Sequence, residues 1–172
     1  DTKQNAVVAS TTRVLGAVIL EERSLPQPDA DVLVEGMTAG VRAMGLSALP
    51  WSEGAQGLRQ RVQFLARTIP DAGWPDLSDG VLLGTLETWL SPYLAGMKRK
   101  ADLERIDLAT VLRGLVPHSL LSRLDGLAPI RMEVPNGAHY RIDYDTEGDP
   151  VLRVRLQEMF GLTRFSAHMD VG

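Results

Sequence analysis

The chain has no cysteine, which excludes disulfide staples and thiolate-held metals. Aromatic residues make up only 5% of it, three each of Trp, Tyr and Phe. Leu, Val and Ala must therefore fill the core, and few rings remain to stack on nucleobases. No apolar run approaches the roughly 18–20 residues that cross a bilayer as a helix. There is no Gly-x-x-x-x-Gly-Lys-Ser/Thr loop and no Asp-Glu-x-His or Asp-Glu-x-Asp box, so these residues cannot cradle and hydrolyse ATP by the usual motor chemistry. Nor does charge of one sign dominate: 172 residues carry a formal net charge of −4. Binding to a polyanion by bulk charge is excluded, and any anion-binding surface must be a local patch. Residues 1–86 hold 7 Lys/Arg and 10 Asp/Glu, residues 87–172 hold 11 and 12. A basic patch is therefore expected in the second half.

What is present is an ordinary globular composition, 44% hydrophobic and 23% charged, long enough for one domain or one with a small appendage. The opening Asp1-Thr-Lys-Gln4 has neither an initiator Met nor a signal pattern, and the chain reads as a piece of something longer. The lack of cysteine is compatible with a reducing, cytoplasmic setting.

Residues 6–25 are β-branched and partly alternating, which predicts two strands or one strand bent at Gly16. Pro26 and Pro28 end that unit. Leu33, Met37, Val41 and Met44 form a helical stripe starting near Asp29 or Asp31 and stopping at Gly45. A second helix, capped by Ser52, buries Ala55, Leu58, Val62, Leu65 and Ile69 and ends at Pro70. Ser78 can cap a third, with Leu82, Leu86, Trp89, Leu90 and Tyr93 inward and Pro92 disturbing its last turn. Short helices follow around Leu108–Leu115 and Pro117–Asp125, the latter closed by Gly126. Then Ile130, Met132 and Val134 alternate against Tyr140, Ile142 and Tyr144 across Asn136-Gly137, the pattern of a β-hairpin. Asp149 and Pro150 predict a final helix burying Leu152, Leu156, Met159 and Phe160. The expected segments are 1–27 as strands, 28–128 as a helical region, 129–163 as hairpin plus helix, and 164–172 as an atypical tail.

Candidate chemistry is sparse. Asp143, Asp145, Glu147 and Asp149 imitate a calcium loop, but Pro150 sits inside it and Val154 holds the place of the closing bidentate Glu; a solvated turn is the better reading. His118, His139 and His168 lack partners at metal-ligand spacing, and no nucleophile elbow exists for a catalytic triad. Two basic features remain. Lys98, Arg99 and Lys100 form a compact run suited to phosphate, or simply a solvated connector. On the hairpin, Arg131 and Glu133 face outward on one strand, and His139, Arg141 and Asp143 on the other. That face can meet a nucleic-acid backbone, or solubilise the sheet through pairs such as Glu133 with Arg141. Arg153 and Arg155 open the expected last helix, where a phosphate would be welcome.

Several strings resemble the C-terminal region of the HrpB-type DEAH-box ATP-dependent helicases of bacteria. They are Leu15-Gly-Ala-Val-Ile-Leu-Glu-Glu-Arg-Ser-Leu-Pro26, Leu49-Pro-Trp-Ser-Glu53, Trp74-Pro-Asp-Leu-Ser-Asp79, Leu86-Glu-Thr-Trp-Leu-Ser-Pro-Tyr-Leu94, Leu124-Asp-Gly-Leu-Ala-Pro129 and the hairpin Val134 to Tyr144. The resemblance runs from about Gly16 to Thr163. His139 stands where the family usually carries Arg, whereas Arg141 fits. Residues 164–172 depart from the family and read like a truncation, a frameshift or an expression scar. A strand pair missing there would leave an exposed edge for pairing with another copy.

The resemblance implies an α+β fold, with short antiparallel strands at both ends forming an OB-like, partly open barrel and a helical middle insertion. It implies an accessory domain that braces RecA-like motor and helical domains of the same parent chain, and that contacts single-stranded RNA or DNA. ATP and Mg would belong to the parent, with no cofactor in these residues. The alternative, from a different class, is a protein-docking module with no nucleic-acid contact.

Overall fold

The computed structural model describes residues 10–15, 18–24, 29–134, 136–144 and 149–153. Within them the chain is α+β, mostly helical with two small antiparallel sheets. The elements are β1 (Ser10–Leu15), β2 (Val18–Ser24), α1 (Ala30–Met44), α2 (Glu53–Thr68), α3 (Asp79–Gly84), α4 (Leu86–Trp89), α5 (Leu108–Arg113), α6 (His118–Leu127), β3 (Arg131–Glu133), β4 (His139–Asp143) and β5 (Val151–Leu152). They divide between two units that interleave along the sequence. One draws on Asp1–Trp51 and Asp79–Val111, the other on Ser52–Ser78 and Leu112–Gly172.

In the first unit β1 and β2 pair antiparallel from Ser10↔Ser24 to Leu15↔Val18, with a register shift at Arg13/Val14. Of the two readings of this segment, two strands is the one observed; Gly16 itself lies outside the described residues. Leu33, Met37 and Val41 of α1 are buried because spacings of four residues return side chains to one face of a helix. Gly45 ends the helix at φ +80°, donating its N–H to the Val41 carbonyl at 2.8 Å; a side chain at that φ would be strained. Leu82, Leu86, Leu90, Leu94 and Leu103 complete this core, each at most 1% exposed. Thr38, buried on α1, donates to the Val34 carbonyl at 2.8 Å and lies 2.9 Å from the Ser91 hydroxyl. The one buried polar side chain of α1 is thus satisfied.

The expected third helix is two short ones. Thr85 leaves helical geometry (φ −120°, ψ 21°), and its hydroxyl donates back to the Val81 carbonyl at 2.7 Å. That local bond, beside the weak helix former Gly84, offers the backbone an alternative to continuing. Tyr93, expected inward, sits on a short 3-10 turn and is 49% exposed.

In the second unit Ser52 caps α2, its hydroxyl accepting from the Ala55 N–H at 3.2 Å, as expected. Ala55, Leu58, Val62 and Leu65 are buried, joined by Phe64 and Arg61, while Ile69 is only half-buried. The helix α6 runs past Gly126 to Leu127, so that glycine is not its terminator. Its Leu120 and Leu124 pack inward with Val134, Ile142 and Tyr144. Each such fully buried Leu contributes roughly 1.5–3 kcal/mol relative to exposure.

The sheet has the order β3-β4-β5. Asn136-Gly137 makes its turn: Gly137 adopts φ +82°, and Asn136 Oδ1 accepts from the Ala138 N–H at 2.9 Å. Two expectations fail here. Val151–Leu152 is a strand on β4, with Ile142↔Leu152 and Asp143↔Val151, so Pro150 opens an extended segment rather than a helix. A proline just ahead of an edge strand is compatible with the ladder, since no pairing N–H is lost there. Leu156, Met159 and Phe160 lie outside the described residues, as do Asp145, Glu147 and the 164–172 tail. The register also sets Glu133 opposite His139 and Arg131 opposite Arg141, which excludes the expected direct Glu133–Arg141 pair. Val134 is buried, but Ile130 and Met132 are 53% and 37% exposed.

Candidate functional site

A half-open cleft of about 340 Å³ lies in the second unit. Its walls come from the first turns of α2 (Glu53, Gly54, Gly57, Arg61), from Arg113, from α6 (Leu121, Leu124, Asp125), and from the sheet (Ile130, Arg131, Arg141, Ile142, Tyr144). Four of these residues are arginines and two are acids. Arg61 is 6% exposed; its Nε donates to the Ala128 carbonyl at 2.5 Å and its Nη2 to Asp125 Oδ1. It braces the wall and is not available to a ligand.

The other three arginines are exposed. Arg131 and Arg141 face each other across the ladder. Because Val134 pairs with Ala138 and Ile142 with Ile130 through backbone bonds, the Arg131–Arg141 position is the alternate, non-hydrogen-bonded one, where side chains stand closest. Like charges directly opposite each other destabilise a sheet. Arg141 is partly compensated by Glu53, Nη1 to Oε1 3.5 Å, with side chains 49% and 89% exposed. Arg131 and Arg113 have no carboxylate partner among the described residues. Such an arrangement can accept an anion that bridges the sheet and helix walls.

The guanidinium rests against α2 at Gly57: a Cβ there would lie 3.4 Å from Arg141 Nη2, at ordinary contact distance. Behind the sheet, the Phe64 and Tyr144 rings are 5.2 Å apart and tilted 49°, and the Tyr144 hydroxyl donates to the Pro129 carbonyl at 2.8 Å. Burial pushes the Tyr144 phenol up to about 12, against a smaller opposing effect of Arg61. The ring anchors the sheet as a neutral group.

Of the residues singled out from sequence, Arg131 and Arg141 meet in the cleft. His139 is exposed, its Nε2 3.9 Å from Glu133 Oε2. Arg153 pairs with Asp143 at 3.3 Å, and Arg155 lies outside the described residues. Lys98, Arg99 and Lys100 belong to the first unit, where their side chains are exposed. Their turn is organised by Asp102, whose Oδ2 accepts the Lys98 and Arg99 N–H groups at 2.9 Å each. Those two bonds hold the Asp102 carboxyl below its ordinary value, aided by Arg105. Arg61 and Arg113 were not foreseen. Arg61 was visible in principle, since Leu58, Arg61, Val62 and Leu65 share one helical face and an arginine there must find partners inside. Arg113 gives no such signal. Among the described residues no cluster of His, Asp and Glu can hold a metal ion, and no helix is long and apolar enough to cross a membrane.

A protein-family model described as the C-terminal region of ATP-dependent helicases matches residues 89–170. The chain is 36% identical, over 161 residues and 94% of its length, to the ATP-dependent RNA helicase HrpB of Escherichia coli K12. The chain is similar to the C-terminal region of the HrpB-type helicases. Two crystal structures of E. coli HrpB, one described as a DExH-box NTPase and one as a DEAH/RHA helicase, match with TM-scores of 0.72 and 0.70, at 34% identity over 92% of the chain. The chain spans 20% of the length of the E. coli protein, so it corresponds to one part of an HrpB-type protein. Arg113, Arg131 and Arg141 fall within the family match; Glu53, Gly57 and Arg61 precede it.

Proposed function

We propose that this chain is an accessory part of an ATP-dependent, RNA-directed helicase, bracing the motor domains and holding the phosphate backbone of a single strand in the arginine-lined cleft. ATP and Mg would be handled by RecA-like domains elsewhere in the parent protein, in the cytoplasm. The observation that carries the reading is the convergence of Arg113, Arg131 and Arg141 on one cleft, where, of the two acids in its lining, Glu53 faces Arg141 and Asp125 is engaged by Arg61. Phosphate contacts need few cations and no base-specific geometry, which reconciles strand binding with a net charge of −4. The exposed run Lys98, Arg99 and Lys100, with His139, Arg153 and Arg155, would add weaker contacts. An antiparallel sheet whose outer strands are short fits an OB-like, partly open barrel, the architecture that presents such grooves. Affinity is expected in the non-specific range, roughly 10⁻⁴–10⁻⁶ M at physiological salt.

Changing Arg131 and Arg141 together to Glu tests this. Anisotropy of a fluorescein-labelled oligouridylate should show binding by the 172-residue chain weakened about tenfold or more, with circular dichroism unchanged. Unaltered binding would remove the cleft from the function. A second reading, docking onto protein without strand contact, draws on the exposed Met132 of β3 and Ile130 just before it; apolar side chains along an edge strand suit a protein neighbour, or a second copy of this chain. It gains ground if no oligonucleotide binds at low salt.

A further inference from the structure

Glu53 is an unexpected residue on a wall that would bind anions. It is the first residue of α2, where a carboxylate is favourable to the helix dipole. That alone does not account for its direction: its carboxylate reaches 3.5 Å from Arg141 Nη1, onto ground that a phosphate oxygen would occupy. Arg131, directly across the ladder, and Arg113 have no such partner among the described residues. The wall is therefore neutralised at one arginine and open at two.

We propose that Glu53 sets what the cleft accepts, standing in for one phosphate on Arg141 so that the site takes a linear chain of phosphates and turns away single small anions. The proposal rests on the phosphate-binding reading above. An ion with one charged group that displaces Glu53 trades one anion for another on Arg141 and leaves two carboxylate or phosphate charges close together. A strand can displace it because its neighbouring phosphates meet Arg131 and Arg113 at the same time. The latch is weak enough to open, since exposed pairs of this kind hold little energy.

The test is Glu53→Gln in the 172-residue chain, with Asp71→Asn, which makes the same charge change on an exposed residue outside the cleft, as the control. Binding of a fluorescein-labelled 12-mer oligouridylate would be followed by anisotropy. Inorganic phosphate would serve as competitor, against sodium chloride at matched ionic strength. Glu53→Gln should tighten the oligouridylate about two- to fivefold and lower the half-inhibitory phosphate concentration by at least that factor. Asp71→Asn should do neither, and Arg141→Gln added to Glu53→Gln should abolish the gain. If the oligouridylate binds but phosphate competes equally against wild type and Glu53→Gln, or if Asp71→Asn reproduces the effect, the latch is wrong while the cleft stands. If neither form binds the strand at low salt, cleft and latch fall together.

Discussion

Arg42 and Arg61 each join two helices through a carboxylate, and the contrast between them separates the two units. Arg42 of α1 meets Glu87 of α4 at 2.6 Å with both side chains open to solvent, 46% and 61% exposed. Arg61 of α2 meets Asp125 of α6 with its own side chain 7% exposed, and also carries the Ala128 carbonyl. Among its described residues the first unit buries no charged side chain. The second has a cation inside, under a surface that bears three further arginines. The same residue type is decoration in one place and framework in the other, because a buried polar group left without its partner costs far more than an exposed one.

Substitutions at these two arginines give the sharpest way to break the contrast. Arg61→Ala should cost about 2–4 kcal/mol, since it removes packing and strands a buried carbonyl; urea denaturation would measure it. Arg42→Ala should shift the midpoint too little to resolve. Equal losses would sink the distinction.

The tryptophans sharpen the comparison at smaller scale. In the first unit Trp89 donates its indole N–H to the Leu82 carbonyl at 2.9 Å. In the second, the buried Nε1 of Trp74 has no partner among the described residues. Replacing each with Phe should destabilise Trp89 more, by roughly 1–2 kcal/mol relative to Trp74, because only one change breaks a made bond. Thermal melts of the two variants decide it, and a larger loss at Trp74 would contradict the account.

Titration separates the units again. Tyr144 in the second unit has its phenol raised from 10.0 to about 12. A raised value means the folded state disfavours the charged form, so the stability is complete below pH 10 and declines as pH rises towards 12. Tyr144→Phe should flatten that alkaline limb in a melting-temperature profile. In the first unit the Arg42 hydrogen bond, with a backbone one, holds Glu87 below 4.5, and the turn N–H groups hold Asp102 below 3.8. Their contributions are present above those values and lost as pH falls through the lowered folded ones. Glu87 is exposed and Asp102 sits at the surface, partly covered by its own turn, so the acid effect should be the smallest of the set; Glu87→Gln should alter the acid limb only slightly.

How much of this was readable beforehand follows from where the determining physics is local. Ser52, Gly45 and the Asn136-Gly137 turn act through bonds within five residues, and each appears as the sequence indicates. Pro150 indicates a helix start from sequence, yet a proline after an aspartate starts helices and precedes edge strands alike. Only the pairing of Val151 with Asp143 on β4 distinguishes the two. The hairpin's charged residues were identified, but not their pairing: a two-residue change in register sends Arg141 to Glu53 on α2 instead of to Glu133. Long-range partnership of that sort has no one-dimensional signature. The family strings carried the rest, and they point to a parent rather than to a contact.

The bond from Arg61 to Ala128 bridges 67 positions along the chain. During synthesis from the N-terminus, α2 therefore leaves the ribosome well before the carbonyl that its arginine will hold. Closing so wide an arc is entropically slow, and meanwhile the apolar face of α2 is without its helix and sheet. Refolding of the second unit should accordingly lag behind elements whose partners lie nearby, and that interval is when the nascent polypeptide is most prone to stick to its neighbours.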